Sequence, residues 1–423
     1  MILQRLFSVL ILTCSICLSS CPGTLEMRNA KKSMALPLKA QGMKSRSYLG
    51  DPLHLKITQN VTLTVSLAVG SPPQMVTMVL DTGSELSYLR CHGTQNKQPV
   101  FDPNRSPSYS PVTCLSPDCN NQLRKQESSI TTGCSPSNNC TAGVSFADLG
   151  SVDTSLAKDT ISIAGSNFND TAFGCMDLGS SSNSGEDSKT TGLMGMNLGS
   201  LSFVSQMGFK TFSYCISSSD NSGLLVLGDS GFSRAKPLNY TPLVLLKSTS
   251  PNYNRVAYTV NLTGIKVADK LIPVSQSAFR IAGNGAGQTM VDSGTQFTYL
   301  LEEAYTALKN EFWNQTKEIL EVCHGYVFQG AMDLCFRVRS NQTSLLVLPS
   351  VTLLLEGAEI EIPGNRLLYQ VPGDVSVHCF TFGSSQLLGT TAYIIGHYHQ
   401  QNLWVEYDLV NSRIGLAHFT CNF

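Results

Sequence analysis

Charge is scarce: only 14% of the 423 residues are Asp, Glu, Lys or Arg, against 42% apolar residues. That balance excludes a disordered chain and a coiled coil, and it indicates a globular, turn-rich protein. Basic charge is scarcer still beyond the N-terminus. Residues 1–50 hold seven Lys and Arg and a single acid, Glu26; removing these from the chain's 29 basic and 30 acidic residues leaves 22 and 29. A body with that acidic excess is a poor binder of nucleic acid. Past the N-terminal region no stretch has ~18 uninterrupted apolar residues, so no membrane span is expected. The sequence ends at Cys421-Asn422-Phe423 without the apolar tail of a lipid-anchor signal. Paired Cys-x-x-Cys spacing is missing from the cysteine-crowded stretch 91–140, whose one histidine is His92, so no metal site is expected there.

What is present at the N-terminus is a secretory signal over residues 1–21: Arg5, an apolar stretch from Leu6 to Leu18, then Ser19, Ser20 and Cys21. Residues 22–56 are basic and show no clear apolar period; they read as a pro-segment or as a disordered tail, with regular structure beginning near Leu55. Eleven cysteines follow the signal, and in a secreted chain they read as disulfides with one left over. Five crowd into the insert 91–140, which has too little apolar sequence to build a core. Asn60, Asn169, Asn239, Asn261, Asn314 and Asn341 are candidate glycosylation sites. Two further sequons are weaker: Pro107 follows that of Asn104, and Cys140 lies inside that of Asn139. These features point to the secretory pathway; apoplast, vacuole and endoplasmic reticulum are equally open as destinations.

Short β-branched and aromatic runs dominate the rest. Leu63, Val65 and Leu67 alternate with polar residues, and Met75 to Leu80 runs into Asp81. Leu224–Leu227, Val256–Val260, Ser344–Leu348, Val351–Leu355 and Trp404–Tyr407 read as further strands. One clear helix is expected from Leu301 to Leu320, with Glu302 and Glu303 in its first turn. Many strands and few helices indicate an all-β chain. The Pro-, Ser- and Asn-rich section 233–255 reads as a connection between lobes at 57–232 and 256–423.

One phrase is written twice, 211 residues apart. Residues 79–89 read Val-Leu-Asp-Thr-Gly-Ser-Glu-Leu-Ser-Tyr-Leu, and residues 290–300 read Met-Val-Asp-Ser-Gly-Thr-Gln-Phe-Thr-Tyr-Leu. Each copy places a carboxylate, Asp81 or Asp292, in a glycine turn lined with hydroxyls. About a hundred residues later each half repeats an apolar pair ending in glycine, at Gly195 and Gly396. Glycine there lets a backbone pass close behind the turn. Two close carboxylates cannot both ionise, so such a pair shares one proton, with one pKa raised and the other lowered. In this arrangement Thr82 and Ser293 brace the turns against each other. Ser84 and Thr295 donate to the outer carboxylate oxygens, while Gly83 and Gly294 allow close approach.

The phrases Asp81-Thr82-Gly83-Ser84 and Asp292-Ser293-Gly294-Thr295, with their paired apolar-apolar-Gly elements, resemble the pepsin-like aspartic proteases. The resemblance covers roughly residues 60–420. The cysteine-rich insert after the first turn, the lack of a saposin-like insert and the ending Val405-Glu406-Tyr407-Asp408-Leu409 resemble the nepenthesin-type plant branch. Within it, Asp81 to Cys91 is most similar to the PCS-one-like subgroup. The resemblance implies a bilobal all-β fold with a central cleft and few short helices. It implies a secreted zymogen, monomeric and without cofactor or metal, that hydrolyses peptide or protein substrates at acidic pH. It also implies a disulfide between Cys335 and Cys379.

The family closes its cleft with a hairpin flap, here near 144–156 and including Phe146 and Asp148. Phe146 stands where the family carries a flap Tyr, and Tyr88 where it usually carries Trp. Phe146 keeps a ring but lacks the hydroxyl, and Tyr88 offers one from the opposite side. Altered or slower activity is expected. The opposing reading is a weak or inactive pepsin-like binding or inhibitor protein. Three other features read as structural: Gly228-Asp229-Ser230-Gly231 as a turn at a strand end, His397 and His399 as surface or cleft-edge residues, and Glu302 and Glu303 as helix-start charges.

Overall fold

The computed structural model describes residues 33–42, 61–92, 100–119, 130–145, 151–177, 189–219, 222–246, 250, 252–338 and 347–422. Strands dominate them. Among the described residues there are three α-helices, Phe203–Met207, Phe232–Ala235 and Glu302–Thr316. Residues 33–423 form one compact unit.

Each copy of the repeated phrase begins at the end of a strand and is held by the same local weave. Strand Gln74–Asp81 pairs in parallel with Gly192–Gly195, placing Asp81 opposite Gly195; strand Thr289–Asp292 pairs in parallel with Tyr393–Gly396, placing Asp292 opposite Gly396. Each glycine-ended strand also pairs antiparallel with the strand after its turn, at Tyr88–His92 or Thr298–Leu300. Both strands are buried along their length. A Cβ on Gly195 would meet the Glu85 carbonyl, and one on Gly396 the Phe297 carbonyl. Only glycine leaves room for the chain that crosses there.

The first copy lies in a 15-stranded sheet, and the second in a five-stranded sheet. The large sheet also takes in the end of the chain. Strand Leu403–Asp408 pairs with Thr211–Ile216, and Arg413–His418 pairs with Asn239–Pro242. The section 233–255 is therefore more than a connection, since Asn239–Pro242 is a strand of this shared sheet. Two four-stranded sheets complete the second half.

Several expectations need correction. Regular structure starts well before Leu55: Met34–Gly42 is a strand between Gly223–Leu227 and Val61–Val69. Its alternation of Met34, Leu36 and Leu38, all buried, is short and interrupted by Pro37, which hides the period. Burying each of these three side chains stabilises by roughly 2 kcal/mol. The helix spans Glu302–Thr316, shorter at both ends than expected. Of Val256–Val260 only Thr259–Val260 is strand. In the expected strand Ser344–Leu348, residues 344–346 lie outside the described residues, and Val347 and Leu348 are not strand. Pro349 follows directly and has no N–H for a ladder.

Five disulfides tie the described residues together. Cys114–Cys134 and Cys119–Cys140 staple the insert. Cys91 pairs outside it, with Cys175 on strand Ser166–Asp177. Cys335–Cys379 joins two paired strands, and Cys215–Cys421 fixes the end of the chain to the shared sheet. The odd cysteine is Cys323, buried and unpaired.

Candidate active site

The two turns face each other in near-mirror fashion. In the first, the Asp81 Oδ1 accepts from the amides of Gly83 at 2.7 Å and Ser84 at 3.2 Å, and Oδ2 accepts from the Ser84 hydroxyl at 2.5 Å. In the second, the Asp292 Oδ1 accepts from the Gly294 amide at 2.8 Å, and Oδ2 from the Thr295 hydroxyl at 2.6 Å. Each carboxylate is thus oriented by the residues two and three positions after it.

The other hydroxyl of each phrase crosses to the opposite turn. The Thr82 amide donates to Ser293 Oγ at 3.1 Å, and the Ser293 amide donates to Thr82 Oγ1 at 2.9 Å. Thr82 Oγ1 also donates to the Val291 carbonyl at 3.3 Å, and Ser293 Oγ to the Leu80 carbonyl at 2.9 Å. The glycines bring the carboxylates together. A Cβ on Gly83 would meet Asp292 Oδ1 at 3.0 Å, and one on Gly294 would meet the Asp81 carboxylate. Each carboxylate therefore lies against the glycine of the opposite turn.

Burial, reinforced by the charge of Asp292, pushes the Asp81 carboxyl up to about 8. Burial raises Asp292 as well, opposed by the donors on Thr295 and Gly294. The sequence argument expects one pKa to fall; desolvation instead lifts both members, so the split between them sits on a raised base. The pair holds a proton into the neutral range.

Tyr88 is buried, with Val79, Val152, Met176 and Leu193 as its apolar neighbours. Val152 belongs to the returning arm of the hairpin formed by Cys140–Ser145 and Ser151–Ile163. Tyr88 therefore packs against that hairpin close to its tip. Its tip, with Phe146 and Asp148, lies outside the described residues.

His397 and His399 are buried, not surface or cleft-edge residues. His399 lies between the hydroxyls of Thr298 at 2.7 Å and Thr381 at 2.9 Å. The His397 Nε2 lies 3.3 Å from the Val61 carbonyl, and burial pulls its pKa down to about 4. The chain turns inward directly after Gly396, and a His-Tyr-His alternation gives no hint of that. Gly228–Gly231 is a turn after strand Gly223–Leu227, with Asp229 paired to Arg234 at 2.6 Å. Glu302 accepts from Thr306 and Ser384, and Glu303 from the Ser275 amide. Among the sequons, Asn169, Asn239 and Asn314 are exposed, and Asn261 donates to Glu356 at 2.7 Å. Asn60 and Asn341 lie outside the described residues.

Sequence reasoning missed the residues that hold the turns from within the fold. The Asn197 amide donates to the Ser84 carbonyl, and its side chain donates to the Gly83 carbonyl at 3.3 Å. The Gln400 side chain donates to the Asp292 carbonyl at 3.3 Å. Both follow the repeated apolar-apolar-Gly elements within four residues, and that position was the available signal.

Comparison with known proteins agrees with this geometry. Family models described as the xylanase inhibitor N-terminal and C-terminal domains match residues 63–229 and 257–418. Aspartic proteinase PCS1 of Arabidopsis thaliana is 52% identical over 402 residues, covering 92% of this chain and 88% of the relative. Aspartic proteinase nepenthesin-1 of Nepenthes gracilis is 30% identical, covering 90% and 80%. Among solved structures, soybean basic 7S globulin superposes with a TM-score of 0.66 at 19% identity, covering 92% of this chain and 97% of the other. The crystal structure titled edgp superposes with a TM-score of 0.67 at 19% identity, covering 92% and 95%. At that identity these two structures bear on the fold alone, which is bilobal and pepsin-like. With the duplicated Asp turns and the 52% identity over nearly its whole length, the chain belongs to the plant pepsin-like aspartic proteases, in the branch of PCS1 and the nepenthesins.

Proposed function

We propose that this protein is an aspartic-type endopeptidase in which Asp81 and Asp292 act as one acid–base unit. The observation that carries this reading is the pair itself: two facing carboxylates, Asp81 buried and Asp292 half-buried, each against the glycine of the other turn and each with its outer oxygen held by a hydroxyl of its own turn. With one shared proton, the ionised member takes a proton from a water lying between them. The protonated member donates to the substrate carbonyl as the water oxygen attacks its carbon. Collapse of the tetrahedral intermediate breaks the C–N bond: the proton taken from water goes to the leaving nitrogen, and one hydroxyl of the intermediate returns its proton to the other carboxylate, which restores the shared-proton pair. The chemistry stops once the shared proton is lost as pH rises, and also once both carboxyls are protonated as pH falls, which gives a bell-shaped pH profile.

The substrate is a peptide or protein, and the protein acts as a monomer without metal or nucleic acid. Five disulfides support entry into the secretory pathway as a zymogen and glycoprotein. The second reading, a pepsin-like binding protein without catalysis, is favoured by the xylanase-inhibitor description of the matching domains. Two intact, braced carboxylate turns argue against it.

The test is cleavage of a denatured protein by the acid-treated enzyme, with and without a statine-type inhibitor, beside Asp81→Asn. Inhibitor-sensitive cleavage that the variant lacks supports the reading; equal behaviour of variant and parent rejects it. The flap supplies a graded prediction. Phe146→Tyr supplies the hydroxyl that the family carries on its flap and is expected to raise turnover severalfold; unchanged turnover and unchanged cleavage preference would rule out a part for that hydroxyl.

A further inference from the structure

Three buried polar side chains that the hydrolytic steps do not use form a chain that ends on the second Asp turn. Tyr214, on strand Thr211–Ile216, and Tyr407, on the adjacent strand Leu403–Asp408, are fully buried, with their hydroxyls 3.0 Å apart. Gln400 is also buried. Its amide nitrogen donates to the carbonyls of Ile395 at 2.8 Å and Asp292 at 3.3 Å. Its amide oxygen accepts from the Tyr214 hydroxyl. At the other end, the Tyr407 ring stacks on Phe212 at 4.4 Å.

Counting hydrogens gives this chain a direction. An amide oxygen only accepts, so Tyr214 commits its single hydrogen to Gln400. The hydrogen between the phenols then belongs to Tyr407. The path runs from Tyr407 through Tyr214 and Gln400 to the Asp292 carbonyl, in the peptide that carries the second carboxylate. Bonds in such a chain polarise and strengthen one another.

We infer that Tyr214, Tyr407 and Gln400 are positioning residues of the dyad, which hold the Asp292–Ser293 peptide so that the two carboxylates stay close enough to share a proton. The inference deepens the protease reading and rests on it. The charged or titratable groups acting on the chain are Asp292 and Tyr258. Burial raises all three phenols, so they keep their hydrogens wherever the carboxyls titrate.

Tyr407→Phe removes one oxygen and keeps a ring that stacks on Phe212 at 4.4 Å and meets Tyr258 edge-on at 4.4 Å. In this variant kcat is expected to fall about tenfold with KM changed less than twofold. The bell-shaped pH profile of kcat should narrow by about half a unit on each limb, because carboxylates that relax apart split their pKa values less. Tyr214→Phe should do the same, and the double variant should be no worse than either single. It also serves as the test if Tyr407→Phe does not fold. A structural role alone would lower the melting temperature and leave the shape of the profile unchanged; that result in a folded variant overturns the inference. Carbon-13 titration of the aspartate carboxyls separates this from failure of the protease reading. If the parent does not cleave, a narrower split in Tyr407→Phe still supports the inference, and superimposable titration curves overturn it.

Discussion

In the proposed reaction Asp81 and Asp292 carry the chemistry, and the residues one and three positions after them brace and orient the pair. Thr82 and Ser293 exchange amide-to-hydroxyl bonds across the cleft, while Ser84 and Thr295 turn back to their own carboxylates. That division of labour was legible in the sequence, because two copies of one phrase constrain each other. The buried environment was not legible, since it is built by distant strands. It has a consequence for stability. Asp81 has a folded-state pKa raised to about 8, so the folded form binds more protons than the unfolded form. The resulting stabilisation is present at low pH and is lost as pH rises from the ordinary carboxylate range through about 8. Asp81→Asn removes the ionising group. It should raise the melting temperature relative to the parent at pH 7 and change it much less at pH 4; an equal effect at both would mean that Asp81 is not held protonated by burial.

Among the elements, strand Met34–Gly42 shows best where sequence reading stops. A nine-residue alternation that contains a proline and sits in a basic stretch looks like a tail. It is nonetheless read as a strand once its partners, Gly223–Leu227 and Val61–Val69, are seen to need an inner neighbour. The strands that lead into the two Asp turns were legible because apolar residues, Met78-Val79-Leu80 and Met290-Val291, directly precede each Asp. His397 and His399 were not, because their burial depends on a turn that follows Gly396. The strand gives a direct prediction. Leu38 is 1% exposed in the core that spans both halves. Leu38→Ala should cost about 2–5 kcal/mol of stability in chemical denaturation. A loss below about 0.5 kcal/mol would mean that Met34–Gly42 is not an integral strand.

For the whole molecule, the two halves are tied by more than the dyad. The last strands of the chain pair into the large sheet, and Cys215–Cys421 fixes that junction over a sequence separation of 206 residues. In the chain-entropy picture a loop of that size contributes about 5 kcal/mol. Cys215→Ser/Cys421→Ser should lower stability by about 2–5 kcal/mol while the folded fraction keeps its cleavage activity, because no catalytic contact passes through the bridge. Loss of activity in folded protein would show that the junction sets the dyad geometry. Two halves, many strands and cysteine stapling could be read from composition and the repeat. The pairings of Cys91 and Cys215 could not, because sequence spacing does not show which strands become neighbours.

The central claim is that Asp81 and Asp292 act as one unit. The most direct measurement is kcat/KM on a denatured protein substrate at acid pH for the parent, Asp81→Asn, Asp292→Asn and the double variant. Each single variant should lose about a thousandfold or more, and the double should lose no more than either single, because neither carboxylate functions without the other. Substantial cleavage in either single variant, or losses that multiply in the double, would contradict the account.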